Sequence, residues 1–290
     1  MATEFFDLTQ SDRGFNYRWV QPPQVTYLVC TLDHWGNHNV TPVTLGTCVG
    51  ANSLPDPRGS NYYYAFSVGS AEVPDIPPRD AYHNLEAVPE CVISYPGPAL
   101  IQEIWATALP IPAGIEELDI ARLTPLPSRK VRPAGIAECP INIEARVESS
   151  YPIGEHYRLY ICQVVGVSVE RALLEEDKAN PLRYGIMGID PVFEVAIARQ
   201  GELPPRLYFG QIDRGRLVRT PDDMGSSEKW VGTFEAWIED EARRAKIGPE
   251  ERDEILRLYE TWRANPDPSA NGSVKRALTE RLTRLVWDRA

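Results

Sequence analysis

The chain has 290 residues, with 30 Lys and Arg against 41 Asp and Glu, a formal charge of −11 and 43% apolar side chains. That length and apolar content suffice for one large core or two smaller ones and exclude a disordered chain, which lacks the apolar surface to offset its entropy. The acidity, with no basic patch, excludes a nucleic-acid binder that draws its affinity from cations on phosphates, and no run reaches the roughly 18 apolar residues that span a bilayer.

In chain order, Met1 to Gln10 carries Glu4 and Asp7 and does not read as a signal peptide, so the expected location is cytoplasmic, with no membrane partner. Residues 25–32 read as a strand, 33–37 form a turn with Gly36 and Asn37, and 40–49 run back as its partner. Further strands are expected over 61–68, 90–94, 136–149 and 157–169, with a second hairpin turn over 151–155. Two helices are expected between them, one opening near Asp80 and including Asn84 and Leu85, the other over 99–108. Five or more antiparallel strands with inserted helices make a small barrel or curled sheet, because closure removes the edges. The fold class is therefore mainly β with helices (α+β).

Behind residue 226 the pattern changes. Residues 227–290 hold 12 basic and 13 acidic side chains, leaving −10 for residues 1–226. Trp230, Phe234, Trp237 and Ile238 share a helical face behind Ser226 or Ser227 as N-cap, and Gly248-Pro249 ends that helix. Ile255, Tyr259 and Trp262 mark a second helix; Leu278, Leu282 and Leu285, after a cap at Ser273, mark a third. These apolar stripes are expected to bury against the front domain or a partner subunit. The division is a front domain, 1–226, and a helical extension, 227–290.

Several chemistries are missing. There is no G-x-G-x-x-G, no G-x-x-x-x-G-K-[ST] and no G-x-S-x-G, which sets aside a Rossmann turn, a P-loop and a nucleophile elbow. The five cysteines, Cys30, Cys48, Cys91, Cys139 and Cys162, contain no C-x-x-C and read as reduced core thiols. Cys30, His34, His38 and Cys48 do not make a metal site, since a helical i, i+4 histidine pair would need residues 35–37 to be helical.

What remains is polar and sits at strand ends. Asn39, Thr41 and Thr47 share one register of their strand and Thr44 the other, while Pro42 cannot donate to a ladder, so this strand is an edge, a bulge or turned toward a ligand. A row of hydroxyls and free backbone amides there suits an oxygen-rich ligand; a solvated polar face is the other reading. Arg79 just before a helix capped by Asp80 puts a guanidinium beside free N–H groups, a combination that binds phosphate, or else forms an ordinary capped surface helix. His156, at the tip of the second hairpin, faces a ligand or plain water.

Taken together, these segments resemble the flavin reductase-like family over about residues 20–170. The match runs through the hairpin from Val25 to Thr44, then Arg79-Asp80 with Asn84, Glu90 to Ser94, Leu123 to Ser128, Val131 to Pro140, Ile143-Glu144, Gly154 to His156 and Tyr160 to Val164. The resemblance implies an FMN-binding split β-barrel with a C-terminal helical extension outside the family core. It assigns Asn39, Thr41 and Thr44 to the flavin ring and ribityl chain, Arg79, Asp80 and Asn84 to the phosphate, and His156 to the nicotinamide side. Ala81 stands where the family often has a phosphate-binding threonine, and residues 51–61 make a longer loop than many members carry.

The activity so implied is an NAD(P)H-dependent flavin oxidoreductase that passes electrons to free flavin, oxygen or a partner oxygenase. It requires no acid–base catalytic residue. The alternatives are a non-catalytic FMN-binding electron carrier that docks a partner through its helices, and a barrel holding haem or another cofactor. A homodimer is expected on two grounds: in the family a second subunit closes the open flavin cleft, and Trp230, Phe234 and Trp237 are too apolar for water.

Overall fold

The computed structural model describes residues 24–50, 61–70, 77–179, 185–197, 206–213, 216–217, 230 and 232–288. Its centre is a seven-stranded antiparallel sheet of β2 (Tyr27–Leu32), β3 (His38–Val43), β4 (Gly46–Gly50), β5 (Tyr63–Gly69), β6 (Glu90–Tyr95), β9 (Ile141–Ile153) and β10 (Tyr157–Val169), in the order β3-β2-β6-β9-β10-β5-β4. Short strands stand beside it. β1 (Gln24–Val25) joins β11 (Phe193–Ile197) and β12 (Arg206–Gly210); β7 (Pro125–Leu126) pairs with β8 (Gly135–Ile136), and β13 (Ile212–Asp213) with β14 (Arg216–Leu217). The helices are α1 (Asp80–Ala87), α2 (Ile101–Thr107), α3 (Glu117–Ala121), α4 (Arg171–Ala179), α5 (Phe234–Arg243), α6 (Pro249–Ala264) and α7 (Pro268–Trp287).

The sheet curls because two strands adjacent in the chain lie at its opposite edges. The sequence pattern predicts one strand over 40–49; the chain instead breaks at Thr44-Leu45, with β3 pairing β2 and β4 pairing β5. The corner is made by Gly46 N–H to Thr44 O (3.1 Å) and Ser67 N–H to Leu45 O (2.8 Å). Only glycine fits after it. A Cβ on Gly46 would lie 2.1 Å from Tyr27 Oη and 2.5 Å from the Ala65 carbonyl oxygen, and a backbone oxygen cannot step aside.

Side chains alternate across β2 and β6, and both faces are buried. Tyr27 and Val29 of β2, with Cys91, Ile93 and Tyr95 of β6, fill the barrel against Tyr64, Phe66 and Tyr160. Leu28, Cys30 and Val92 point the other way, into a second core shared with α2, α3, α5, α6 and α7. Burial on both faces explains why β2 reads as a continuous apolar run rather than an alternating one. Four of the cysteines are buried as expected, but Cys48 is exposed because β4 is an edge.

The apolar stripes of the extension are spent inside the chain. Phe234, Trp237 and Ile238 are buried against Ile255, Leu258 and Trp262, and Leu278, Leu282 and Leu285 close the same core. This removes the argument for a dimer from exposed aromatics. The caps also differ from expectation. Thr233 accepts from Ala236 N–H to start α5, and Asp267 from Ser269 N–H to start α7, where Pro268 suits the first helical position. Ser226 and Ser227 lie outside the described residues, as do residues 51–60 of the long loop. The start expected at Ser273 falls just beyond a non-helical break at Asn271, so it marks the second limb of a kinked helix.

The outer edge of β3 is closed by α3. His38 N–H donates to Glu116 Oε2 (3.0 Å) and Val40 N–H to Glu117 Oε2 (2.7 Å), while the next position in that register, Pro42, has no N–H. The backbone amides that the sequence reading left free for a ligand are thus occupied. His38 is fixed at both nitrogens, Nδ1 lying 3.2 Å from Glu116 Oε1 and Nε2 accepting from Ala134 N–H (3.2 Å).

Glu117 has two donors and two oxygens, whereas glutamine has one acceptor and an NH2 that opposes the remaining donor. Glu117→Gln is expected to lower stability by about 1–3 kcal/mol, the cost of one buried donor left unpaired. The urea midpoint measures this, and an unchanged midpoint contradicts the pairing.

Candidate functional site

Beside the capped edge lies a cavity of about 450 Å³, within the range of small-molecule sites. One side is the barrel: Asn39, Thr41 and Pro42 of β3, Pro78, Arg79 and Asp80 at the start of α1, and Glu117 of α3. A second is the apolar, proline-rich segment 107–113 between α2 and α3. The third comes from the extension, with Phe234, Tyr259, Trp262 and Arg263.

α1 begins at Asp80 with Arg79 in the N-cap position, and no side chain caps it, so Asp80 is the first helical residue and not the cap the sequence suggested. The opening amides of a helix have no i−4 acceptor; here Tyr82 N–H turns back to Arg79 O (2.8 Å), and Arg79 lines the cavity at this turn. Burial pulls Arg79 below its ordinary value, and the charges of Glu117, Asp80 and Glu194 pull it back. Burial likewise pushes Asp80 up to about 6, with Arg79 opposing and Asp33 adding to the rise. Glu117 is pushed well above the carboxylate range, first by burial and then by Asp80, against its bonds from Val40 and Asn39. Three ionisable groups at one cavity, each shifted mainly by desolvation, make this cavity the candidate site.

A buried polar chain holds the β3 side. Asn84 Nδ2 donates to Thr31 Oγ1 (3.1 Å); Thr31 and Thr41 hydroxyls donate to Asn39 Oδ1 (3.4 and 3.0 Å); Asn39 Nδ2 donates to Glu117 Oε1 (2.7 Å). Asn39 is thereby fixed, with its carbonyl oxygen occupied and its amide toward Glu117.

Of the residues expected from sequence, Asn39, Thr41, Arg79 and Asp80 meet at this cavity. Asn84 supports it from below through Thr31 and does not line it. Thr44 sits at the corner between β3 and β4, its hydroxyl donating to Glu194 Oε1 (3.4 Å). His156 is exposed at the tip of the β9–β10 hairpin, where its carbonyl accepts from Ser70 N–H (3.0 Å), and it does not line the cavity. Glu117, Thr31 and the extension residues were not legible as site residues: Glu117 meets Val40 across 77 positions, and no local motif announces such a contact.

The residues present offer what a flavin with a phosphate requires. Arg79 and the opening of α1 suit a phosphate, Asn39 and Thr41 a polyol chain, and the 107–113 segment with the aromatics a planar ring.

The flavin reductase like domain model matches residues 23–187. A curated relative, the uncharacterized protein YdfE of Bacillus subtilis, is 30% identical over 181 residues, covering 55% of this chain and 76% of its own length. Among solved structures, nitrilotriacetate monooxygenase component B from Bacillus cereus superposes with a TM-score of 0.59 at 19% identity, covering 75% of this chain and all of its own. The 2-nitrobenzoate 2-nitroreductase NbaA of Pseudomonas fluorescens gives 0.53 at 17%, covering 75% and 96%. A Shewanella frigidimarina protein described by its split barrel domain gives 0.51 at 17%, covering 69% and 86%. With seven strands curled so that β3 and β4 lie at the two edges of the sheet and a family match over more than half its length, the chain belongs to the flavin reductase-like family and has its split β-barrel fold, carrying a C-terminal helical extension.

Proposed function

We propose that the protein is an FMN-containing oxidoreductase that takes electrons from NAD(P)H and passes them to free flavin, oxygen or a partner oxygenase. The observation that carries this reading is Arg79 beside the uncapped start of α1, in a cavity lined also by the polar side chains of β3 and by the apolar segment 107–113. Bound there, FMN would supply the hydride-accepting and electron-donating chemistry. The chain's own residues hold and shield it. Arg79 and the first amides of α1 take the phosphate; Thr41, fixed through Asn39, meets the ribityl and ring polar atoms; the 107–113 segment excludes water. Asn84 and Thr44 act from the layer behind, and Asp80 contributes its backbone amide and, when protonated, a donor. His156 takes the nicotinamide side, from the rim. The homodimer keeps only the support of the family resemblance, and residues 227–290 serve the front domain as a helical extension.

Purified protein is expected to be yellow, to release FMN on denaturation and to bleach near 450 nm, the usual flavin band, when NAD(P)H is added. Failure to take up FMN at micromolar concentration overturns the reading, and a flavin that NAD(P)H does not bleach favours the electron carrier. Arg79→Ala is expected to cost a charge-assisted bond, about 1.5–3 kcal/mol or roughly ten- to a hundred-fold in FMN affinity, with little loss for riboflavin, which has no phosphate. Equal losses would make Arg79 structural.

Asp80 gives the site a pH dependence. Its value of about 6 lies above its ordinary 3.8, so burial disfavours the ionised form, and lowering the pH through 6 adds a proton that removes repulsion from the phosphate. FMN affinity is expected to rise several-fold more for the natural chain than for Asp80→Asn between about pH 7.5 and about pH 5, protonation of the phosphate itself being common to both. Parallel pH profiles by fluorescence titration would contradict this role.

A further inference from the structure

The family match ends at residue 187, yet one side of the cavity is built from residues 232–235 and 259–266. We propose that the C-terminal extension completes the FMN site within the same chain, with the Tyr259 ring as the surface that meets the bound flavin. This inference rests on the flavin reading above.

The wall is fastened to the barrel side. Trp262 Nε1 donates to Ala113 O (2.8 Å), joining α6 to the proline-rich segment, and Trp287 Nε1 donates to Ile120 O (2.7 Å), joining α7 to α3. Lys275 of α7 reaches Asn37 in the first hairpin turn, and Arg122 lies over the Trp287 ring at 4.8 Å. Gly114, at φ +80°, lets the chain turn where a Cβ would come within 3.0 Å of the Trp262 ring. A wall tied at these points keeps its shape when a ligand enters, so its contacts do not have to be ordered on binding.

Of the three aromatic rings on that wall, Phe234 and Trp262 are buried in the core that the extension shares with the front domain, and Trp262 spends its N–H on Ala113. Tyr259 alone is half-buried, its ring 4.5 Å from that of Phe234, so it has surface left to offer. Glu235 and Arg263 pair at 3.4 Å, with side chains 44% and 71% exposed, and so form the rim. A half-buried aromatic ring and an apolar segment lining one cavity offer carbon surface to a planar heterocycle.

Two measurements test this on the full chain. In hydrogen exchange on the unsubstituted protein, saturating FMN is expected to slow exchange at residues 232–236 and 259–266 as well as at 39–41 and 79–82, leaving 278–287 unchanged. Tyr259→Ala is expected to weaken FMN and riboflavin equally, about two- to twelve-fold, since a ring contact is indifferent to the phosphate; Tyr259→Phe should retain affinity within about two-fold. FMN uptake with protection confined to the barrel, or full affinity in Tyr259→Ala, overturns this inference while leaving the flavin reading intact. No uptake by the unsubstituted protein overturns the flavin reading itself.

Discussion

A free sheet edge is a row of unpaired amides, and in this fold that edge, β3, is also the floor of the cavity. The Glu116 and Glu117 carboxylates take the His38 and Val40 amides, and Pro42 removes the next donor. The same contact fixes α3 against β3, orients Asn39 and brings the 107–113 segment over the site. Putting the Glu117 carboxyl group out of water is costly, and the bonds from Val40 N–H and Asn39 Nδ2 offset part of that cost. Edge protection and site construction are thus one interaction.

The rest follows from strands that are apolar on both faces. The inner residues of β2 and β6 fill the barrel; the outer residues need a second layer, and the helices supply it. The extension belongs to that layer by packing, because Leu28, Cys30 and Val92 share a core with Trp237, Ile255 and Leu282. Tryptophan N–H groups from two of its helices end on carbonyls of the front domain, so apolar burial sets the strength of the contact and these bonds set its register.

The sequence made most strands of the large sheet, the hairpin turns and the start of α1 legible, because apolar runs and turn residues act over a few positions, while the short strands β7 and β11–β14 carried no such signal. Asn39, Thr41, Arg79 and Asp80, which line one cavity, stood out in the sequence because hydroxyls beside a proline, and an arginine before a helix, carry local chemistry. The break at Thr44-Leu45 was not visible: it is imposed by the partners of β4, with Gly46 packed on Tyr27 and Ala65. Nor could pattern alone say whether Phe234 and Trp237 face a partner or their own chain, since an amphipathic stripe records that a face is buried and not by what. Glu117 was missed for the same reason as Tyr259, each acting across a long separation in the chain.

The corner at Thr44-Leu45 also governs the order of assembly. β2 and β3 can pair as soon as both exist, and β4 can find β5 nearby, but β5 completes its ladder only against β10, where Tyr63 meets Gln163. Closing so long a loop costs entropy before any contact offsets it, which makes barrel closure a slow, late event. Until α3 emerges and docks, the His38 and Val40 amides face water. On a ribosome, the first hairpin therefore spends the synthesis of about eighty further residues as an open template for other strands, and Pro42 is the gatekeeper already in place during that interval.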